Sequence, residues 1–377
     1  MPARILLLLL LITPPTLADQ LPVWVGTSTP RNGLSKGIYR LTFDTDKGTL
    51  SKATLAAEVA NPGWVTVSPD GKRLYAAGTI HGKPSIVAYK IRDWSGGADK
   101  SLELINSQPI GDGGACHVSV NPTGKFLLSA QYGGGSVAVF PLSADGKIEP
   151  RSQLIEHEGG SRVVGNRQNS PHPHWTGFDA QNKFAYVPDL GLDAVVIYRI
   201  NHEDGTLESE HVAKCPPGGG PRHMKFHPDG KHAFVLNELK LAVTTFEYSA
   251  STGALKPLGT VPALTEKQKA RESFNSAAEI RVHPGGKYVY SSNRGHDSIS
   301  TYKVDTTNGS LTRVEVEPVR GGWPRNFNID PSGKWLLAAG RDSNTLSVFE
   351  INQDSGELTY KRNVAFVPSP ICVAFGK

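Results

Sequence analysis

One five-residue phrase punctuates the chain: "SPDGK" ending at Lys72, "NPTGK" at Lys125, "DAQNK" at Lys183, "HPDGK" at Lys231, "HPGGK" at Lys287 and "DPSGK" at Lys334. Successive copies lie 53, 58, 48, 56 and 47 residues apart, a period that belongs to repeat architectures. Each phrase follows a short alternating apolar segment such as "HVSV", "EIRV" or "NFNI", and precedes another such as "FLLSAQY", "YVYSSN" or "WLLAAG". Apolar runs split by Pro and Gly read as hairpins. A third run and a second turn follow, as in "INHEDGTL", "YSASTGAL" and "VDTTNGSL". Each unit is then a four-stranded antiparallel sheet of about 50 residues, which is the size of a propeller blade.

Six units are complete, and the last segment, "ICVAFGK", matches an inner strand with no partners after it. The N-terminal part supplies the counterpart: "PVWVGT", "GIYRLTF" and "KGTLSKATLAAEV" make a second, third and fourth strand without a first. Joining the two ends completes a seventh blade and leaves no free sheet edge. The expected fold is therefore all-β, one seven-bladed β-propeller domain over residues 19–377. Tryptophan-aspartate repeats are disfavoured because their dipeptide is absent and these units run longer, and kelch units lack their motif here.

The first residues, "MPARILLLLLLITPPTLADQ", combine Arg4, an apolar run from Ile5 to Ile12 and a small-residue site at Thr16-Leu17-Ala18. That order is a secretory signal peptide over 1–18, and its run is too short to span a bilayer. An exported protein, periplasmic or secreted, is expected, with no membrane contact once the leader is cleaved. The formal charge of +5 is mild, and the densest basic run, "EKQKAR" at 266–271, is diluted by acids, so no nucleic-acid stripe is present. Three cysteines, Cys116, Cys215 and Cys372, are too few for a disulfide framework, although an exported chain has room for one bridge.

In an up-and-down blade the residue opening the inner strand and the residue closing its neighbour meet at one rim. The pairs His117 and Tyr132, His174 and Asp189, Arg222 and Glu238, Glu279 and Arg294, and Arg325 and Arg341 are all 15 or 16 apart, which assigns them to that rim. The repeat turns fall on the opposite face, which is expected to be inert. The two longest insertions, 156–173 and 262–278, both feed inner strands and overhang the same rim, as loops around a binding site do. "SPHPHW" at 170–175 sits in the first of them.

The residues alone leave several readings open. His172 and His174 are metal ligands if His117, His223 or His296 supplies a third, but no spacing guarantees that geometry. His174 is otherwise a neutral imidazole that takes a proton from water, or a ring packed on Trp175. Arg222 in "GGGPRH" and Arg294 in "SSNRGHDS" are forks for a carboxylate, a phosphate or a transition-state oxyanion, and Glu238 in "LNEL" shuttles a proton or neutralises an arginine. Salt-bridge architecture explains the same three residues without chemistry. The glycines of "GGGPR" are no phosphate loop, because a strand follows them.

"SPHPHW", "GGGPRHMKFHPDGK", "VLNEL", "SAAEIRVHPGGKYVYSSNRGHDSI" and "WPRNFNIDPSGKWLLAAG" together resemble the lactonase family of seven-bladed propellers, which includes bacterial 6-phosphogluconolactonases and the fungal carboxymuconate lactonizing enzyme. The resemblance runs through essentially the whole mature chain. It implies a site with no metal and no cofactor, formed by His174, Arg222, Glu238 and Arg294; the rim spacing and the neighbouring histidines add His117, Tyr132, His172, Asp189, His223, Glu279, Arg325 and Arg341 as candidate substrate contacts. The resemblance further implies a hydrolase whose partner is a small anionic lactone, and a monomer is expected. The export signal is the departure, since a phosphorylated lactone of central metabolism is an intracellular compound. The rival expectations are an exported propeller that binds a ligand or protein without catalysis, a muconate-type cycloisomerase that closes a lactone ring, and a redox propeller holding a quinone.

Overall fold

The computed structural model describes residues 20–30, 33–92, 101–376 of the chain. The signal peptide expected over 1–18 lies outside these residues. Seven antiparallel sheets are present, each built around four strand positions. Blade 1 joins Pro370–Phe375 to Gln20–Thr27, then Gly37–Asp44, with an outer strand broken into Thr49–Leu50 and Thr54–Glu58. Blades 2 to 7 begin at inner strands Ala60–Val67, His117–Val120, Gly177–Phe178, Pro221–Phe226, Ser276–Val282 and Pro324–Ile329. The closure read from the two ends is therefore present: Val23 pairs with Phe375 and Val25 with Val373.

The repeated phrase folds as a tight turn because its fourth residue adopts a left-handed backbone. Gly71, Gly124, Gly230, Gly286 and Gly333 have φ between 66° and 78°. Asn182 takes the same place in "DAQNK" at φ 55°, as the residue type most tolerant of that region after glycine. The first residue of the phrase then caps the turn with its side chain: Asp179 and Asp330 accept the backbone N–H of Phe184 and Trp335 at 2.8 and 2.7 Å.

The core lies between blades rather than at the centre. Second strands such as Phe184–Asp189 and Tyr288–Arg294 are buried along their whole length, whereas outer strands such as Leu207–Lys214 expose most of theirs. Each apolar cluster spans neighbouring blades; one unites Phe184, Tyr186 and Val195 of blade 4 with Met224, Val235 and Phe246 of blade 5. A second contact recurs around the ring. The residue after each Gly-Lys turn slides under the outer turn of the next blade, as Phe184 does beneath Gly253, where an added Cβ would stand 2.7 Å from the ring. Trp335 makes this contact across the closure, lying under Gly48 and donating its indole N–H to the Thr45 carbonyl at 2.6 Å.

Candidate active site

The inner strands carry an irregularity that their turn spacing does not announce. In blade 5, Pro221 pairs with Asn237 and His223 with Leu236, so Arg222 is the extra residue of a β-bulge. In blade 7, Pro324 pairs with Gly340 and Asn326 with Ala339, and Arg325 is extra. Consecutive side chains of a regular strand leave on opposite faces, and a bulge re-aims one of them. As a result Arg222 and His223 both turn towards blade 6: Arg222 Nε donates to the Ala278 carbonyl at 2.8 Å, and His223 Nδ1 meets Glu279 Oε1 at 2.9 Å.

Glu238 is the hub of the mouth. It follows the fully buried strand His232–Asn237, and three guanidiniums converge on it. Arg222 lies 2.5 Å from Oε2, and Arg294 and Arg167 lie 3.0 Å from Oε1. Arg294 also donates to the Ala277 carbonyl, so the 262–278 insertion orients both arginines through backbone oxygens. Arg167 reaches in from the other insertion and donates to the Tyr132 hydroxyl at 3.1 Å. A fourth guanidinium, Arg325, stands close enough for Arg222 and Arg294 to repel it, and burial together with these neighbours lowers its pKa to about 9. Arg294 is lowered to about 10, mainly by burial. Both stay charged near neutral pH. Although burial alone would raise the Glu238 carboxyl, Arg222 and Arg294 hold it well below the usual carboxylate range.

His174 enters beside this cluster. Its ring lies edge-on to Tyr132 at 5.5 Å and 5.2 Å from His223, and its Nδ1 is buried without a hydrogen-bond partner. Burial, then the Arg222 charge, hold its pKa well below 6.5, so the imidazole is neutral at physiological pH. The four residues His174, Arg222, Glu238 and Arg294 therefore share one buried site, each with 5% or less of its surface exposed.

Residues 22–375 match the model of the lactonase family, described as a seven-bladed β-propeller. The chain belongs to this family. It is similar to the 6-phosphogluconolactonase of Bacillus subtilis, with 35% identity over 93% of this chain and 97% of that one. It is also similar to the 6-phosphogluconolactonase of Formosa agariphila, with 34% identity over 82% and 86%. Among solved structures, the periplasmic gluconolactonase of Pseudomonas aeruginosa superposes with a TM-score of 0.86 at 29% identity, over 95% of this chain and 99% of that one.

Within this lactonase-family mouth the remaining expected residues separate into three groups. Tyr132, His172 and Arg325 stand at the site, with His172 stacked on Tyr132 at 4.5 Å and its Nδ1 2.7 Å from the Tyr132 carbonyl. His117, His223 and Glu279 lie deeper. His117 packs 4.2 Å from Trp64 and hydrogen-bonds Thr176, and Glu279 is consumed by His223, Asn326 and Arg281. The neighbour preceding His117, Cys116, is the one that meets the histidine loop, its thiol facing the Pro173 and His174 carbonyls, so the rim position is one residue earlier than spacing alone assigns it. Asp189 corrects the expectation, whereas Arg341 stays at the rim beside Arg294, both facing the Trp323 ring. Asp189 is fully buried and accepts from His157 and from the backbone N–H groups of His172, Gly191 and Leu192, which leaves nothing for substrate. Arg341 pairs with Asp342 and lies over Trp323.

Two residues at the site were absent from the sequence reading. Arg167 has no periodic signal, and its loop's position above the rim was the only clue. Cys116, one of three cysteines too few for a disulfide framework, carries no signal of this place either; its thiol points to the carbonyls of Ala130, Pro173 and His174, and burial raises its pKa to about 11. A protonated, backbone-bound thiol is no nucleophile. All three cysteines are free. Among the described residues, the one His and acid group close enough to hold a metal is His227, Asp229 and His232, in a repeat turn far from the His172 and His174 pair.

Proposed function

We propose that this mouth hydrolyses the lactone of a sugar acid, in the manner of the 6-phosphogluconolactonases it resembles. The observation that carries the reading is the composition of the cluster: four guanidiniums, Arg167, Arg222, Arg294 and Arg325, gather around the single carboxylate of Glu238 beside a neutral imidazole. Such an excess of fixed positive charge suits an anionic substrate and the further negative charge that develops on a lactone carbonyl under attack.

In the proposed reaction His174 takes a proton from water as the water oxygen bonds to the ring carbonyl carbon. Arg222 and Arg294 receive the oxyanion and the anionic part of the substrate. Collapse of the tetrahedral intermediate breaks the ring C–O bond, and the imidazolium returns its proton to the departing alkoxide, giving the open hydroxy acid. Glu238 acts as a positioning residue: its carboxyl is held ionised, so it orients the arginines and does not relay protons.

The leader sequence at 1–18 and the likeness to a periplasmic gluconolactonase support export. With export, an unphosphorylated aldonolactone is the first substrate to try. The test is acid release in a pH-stat from glucono-lactone and 6-phosphoglucono-lactone, measured against spontaneous hydrolysis. Wild-type acceleration should fall by about 10²- to 10⁴-fold in His174→Ala, the usual contribution of general acid-base catalysis. The ratio between the two lactones reports whether phosphate is read. Absence of acceleration on both would overturn the reading in favour of a propeller that only binds.

A further inference from the structure

The turn face of the propeller, expected to be inert, contains a cavity of about 440 Å³ at the other end of the channel. Its walls come from the inner strands of all seven blades and the segments joining them, and include Trp64, Val118, Trp175, Lys225, Arg281 and Val373. Two cations face this space. The Lys225 ammonium lies 4.6 Å over the Trp175 ring and has no carboxylate within ion-pair distance among the described residues. Arg281 has a contact of 3.4 Å to Glu279, whose two oxygens are already shared with His223 and Asn326, and a bond of 3.3 Å to the Phe327 carbonyl.

We propose that this second mouth is a binding site for a small organic carboxylate, held by Lys225 and Arg281 with its carbon chain against Trp64, Trp175 and the neighbouring valines. Lysine and arginine donors at the polar end match a carboxylate, while indole and valine walls match an apolar body and give a fully hydrated inorganic anion nothing in return. The charges around Lys225 fit this occupant. Burial and the Arg281 charge outweigh the pull of Glu279 and Cys372 and bring the ammonium down to about 7, while His117 on the same wall is held neutral. A bound carboxylate would restore the ammonium. The site is separated from the catalytic cluster by His117, His223 and the two indoles, so it does not depend on the reaction assigned to the first mouth.

The test is titration with sodium butyrate at constant ionic strength and pH 7.5, read by indole fluorescence and calorimetry. Wild-type protein should give a saturable change with a millimolar dissociation constant. Calorimetry in buffers of differing ionisation enthalpy should record proton uptake on binding. Lys225→Met, which keeps the stem over Trp175, should weaken binding at least tenfold. Lys225→Arg should retain it, and Arg294→Met should leave it unchanged. No saturation in wild type, equal affinity in Lys225→Met, or loss in Arg294→Met would each overturn the proposal. Saturation by inorganic phosphate with none by butyrate would overturn the carboxylate assignment.

Discussion

At the scale of single residues the catalytic mouth is governed by one carboxylate that several cations need. Removing an arginine from it therefore has two effects: it takes a donor from substrate and lets Glu238 draw the others closer. Arg167 is the most informative case, because it is the most exposed of the three that touch Glu238, with a side chain 35% exposed. Arg167→Met should lower kcat/KM on an anionic lactone by roughly 10- to 100-fold, the value of a hydrogen bond to a charged group, with KM changing more than kcat. Steady-state kinetics check this, and unchanged kinetics would remove Arg167 from the site. How much a sequence discloses is clear from the contrast with its neighbours. Distance from the Gly-Lys turns put His174, Arg222, Glu238 and Arg294 at the rim with six other residues, and the family resemblance singled these four out. Arg167 stands in an irregular loop, where position in the chain carries no information about position in space. His117 was misplaced for a related reason: spacing gives the height of a residue in a blade but not the direction of its side chain.

At the scale of elements the bulges and loop anchors do what turn spacing does not announce. A bulge adds one residue to a strand and leaves the turn phrases unchanged, so "GPRH" and "WPRN" read as ordinary strand openings while in fact aiming Arg222 and Arg325 into the mouth. Asp189 is the corresponding device for the 156–173 loop. It ties His157, which also meets the Tyr198 hydroxyl at 2.7 Å, and it fixes the segment that presents His172 and His174. Asp189→Ala strands a buried histidine and three N–H groups, and by analogy with breaking a buried charge pair it should cost about 3 to 5 kcal/mol. Denaturant unfolding should record this loss, together with a raised KM as the histidine loop loosens. A variant with wild-type stability would show that the loop is held by other contacts.

At the scale of the whole molecule the channel stores a pH dependence. His117, His174 and His223 are all held well below 6.5, each first by burial. A basic group whose folded pKa is lowered gives stability that is present above its unfolded pKa and lost as pH falls through it, because the unfolded chain binds protons that the native one refuses. The window opens at about pH 6.5 and precedes carboxylate titration, which begins near 4.5. With three such imidazoles the slope should approach about 4 kcal/mol per pH unit as the unfolded histidines become protonated. Unfolding midpoints at pH 7.5 and 5.5 test this, and His223→Gln should reduce the slope by about a third. A flat profile in wild type would mean that these rings accept protons in place. The ring itself was the most legible feature of all, since the turn phrases repeat and every blade buries its faces against the next.

The closure of blade 1 also sets an order in time. Residues 20–27 must pair with residues 370–375, which are made only after the six blades between them. Through nearly the whole of synthesis the first strand therefore keeps one row of unpaired backbone groups. Until the last strand arrives, blade 7 has no neighbour to cover Leu346, Val348 and Ala365 on the side that later meets Val23 and Val25. The circle cannot be completed piecemeal, and an exposed edge of this kind invites pairing with other chains. A ring that depends on residues 370–375 for its closing pairs stays unlocked until all seven blades have been made.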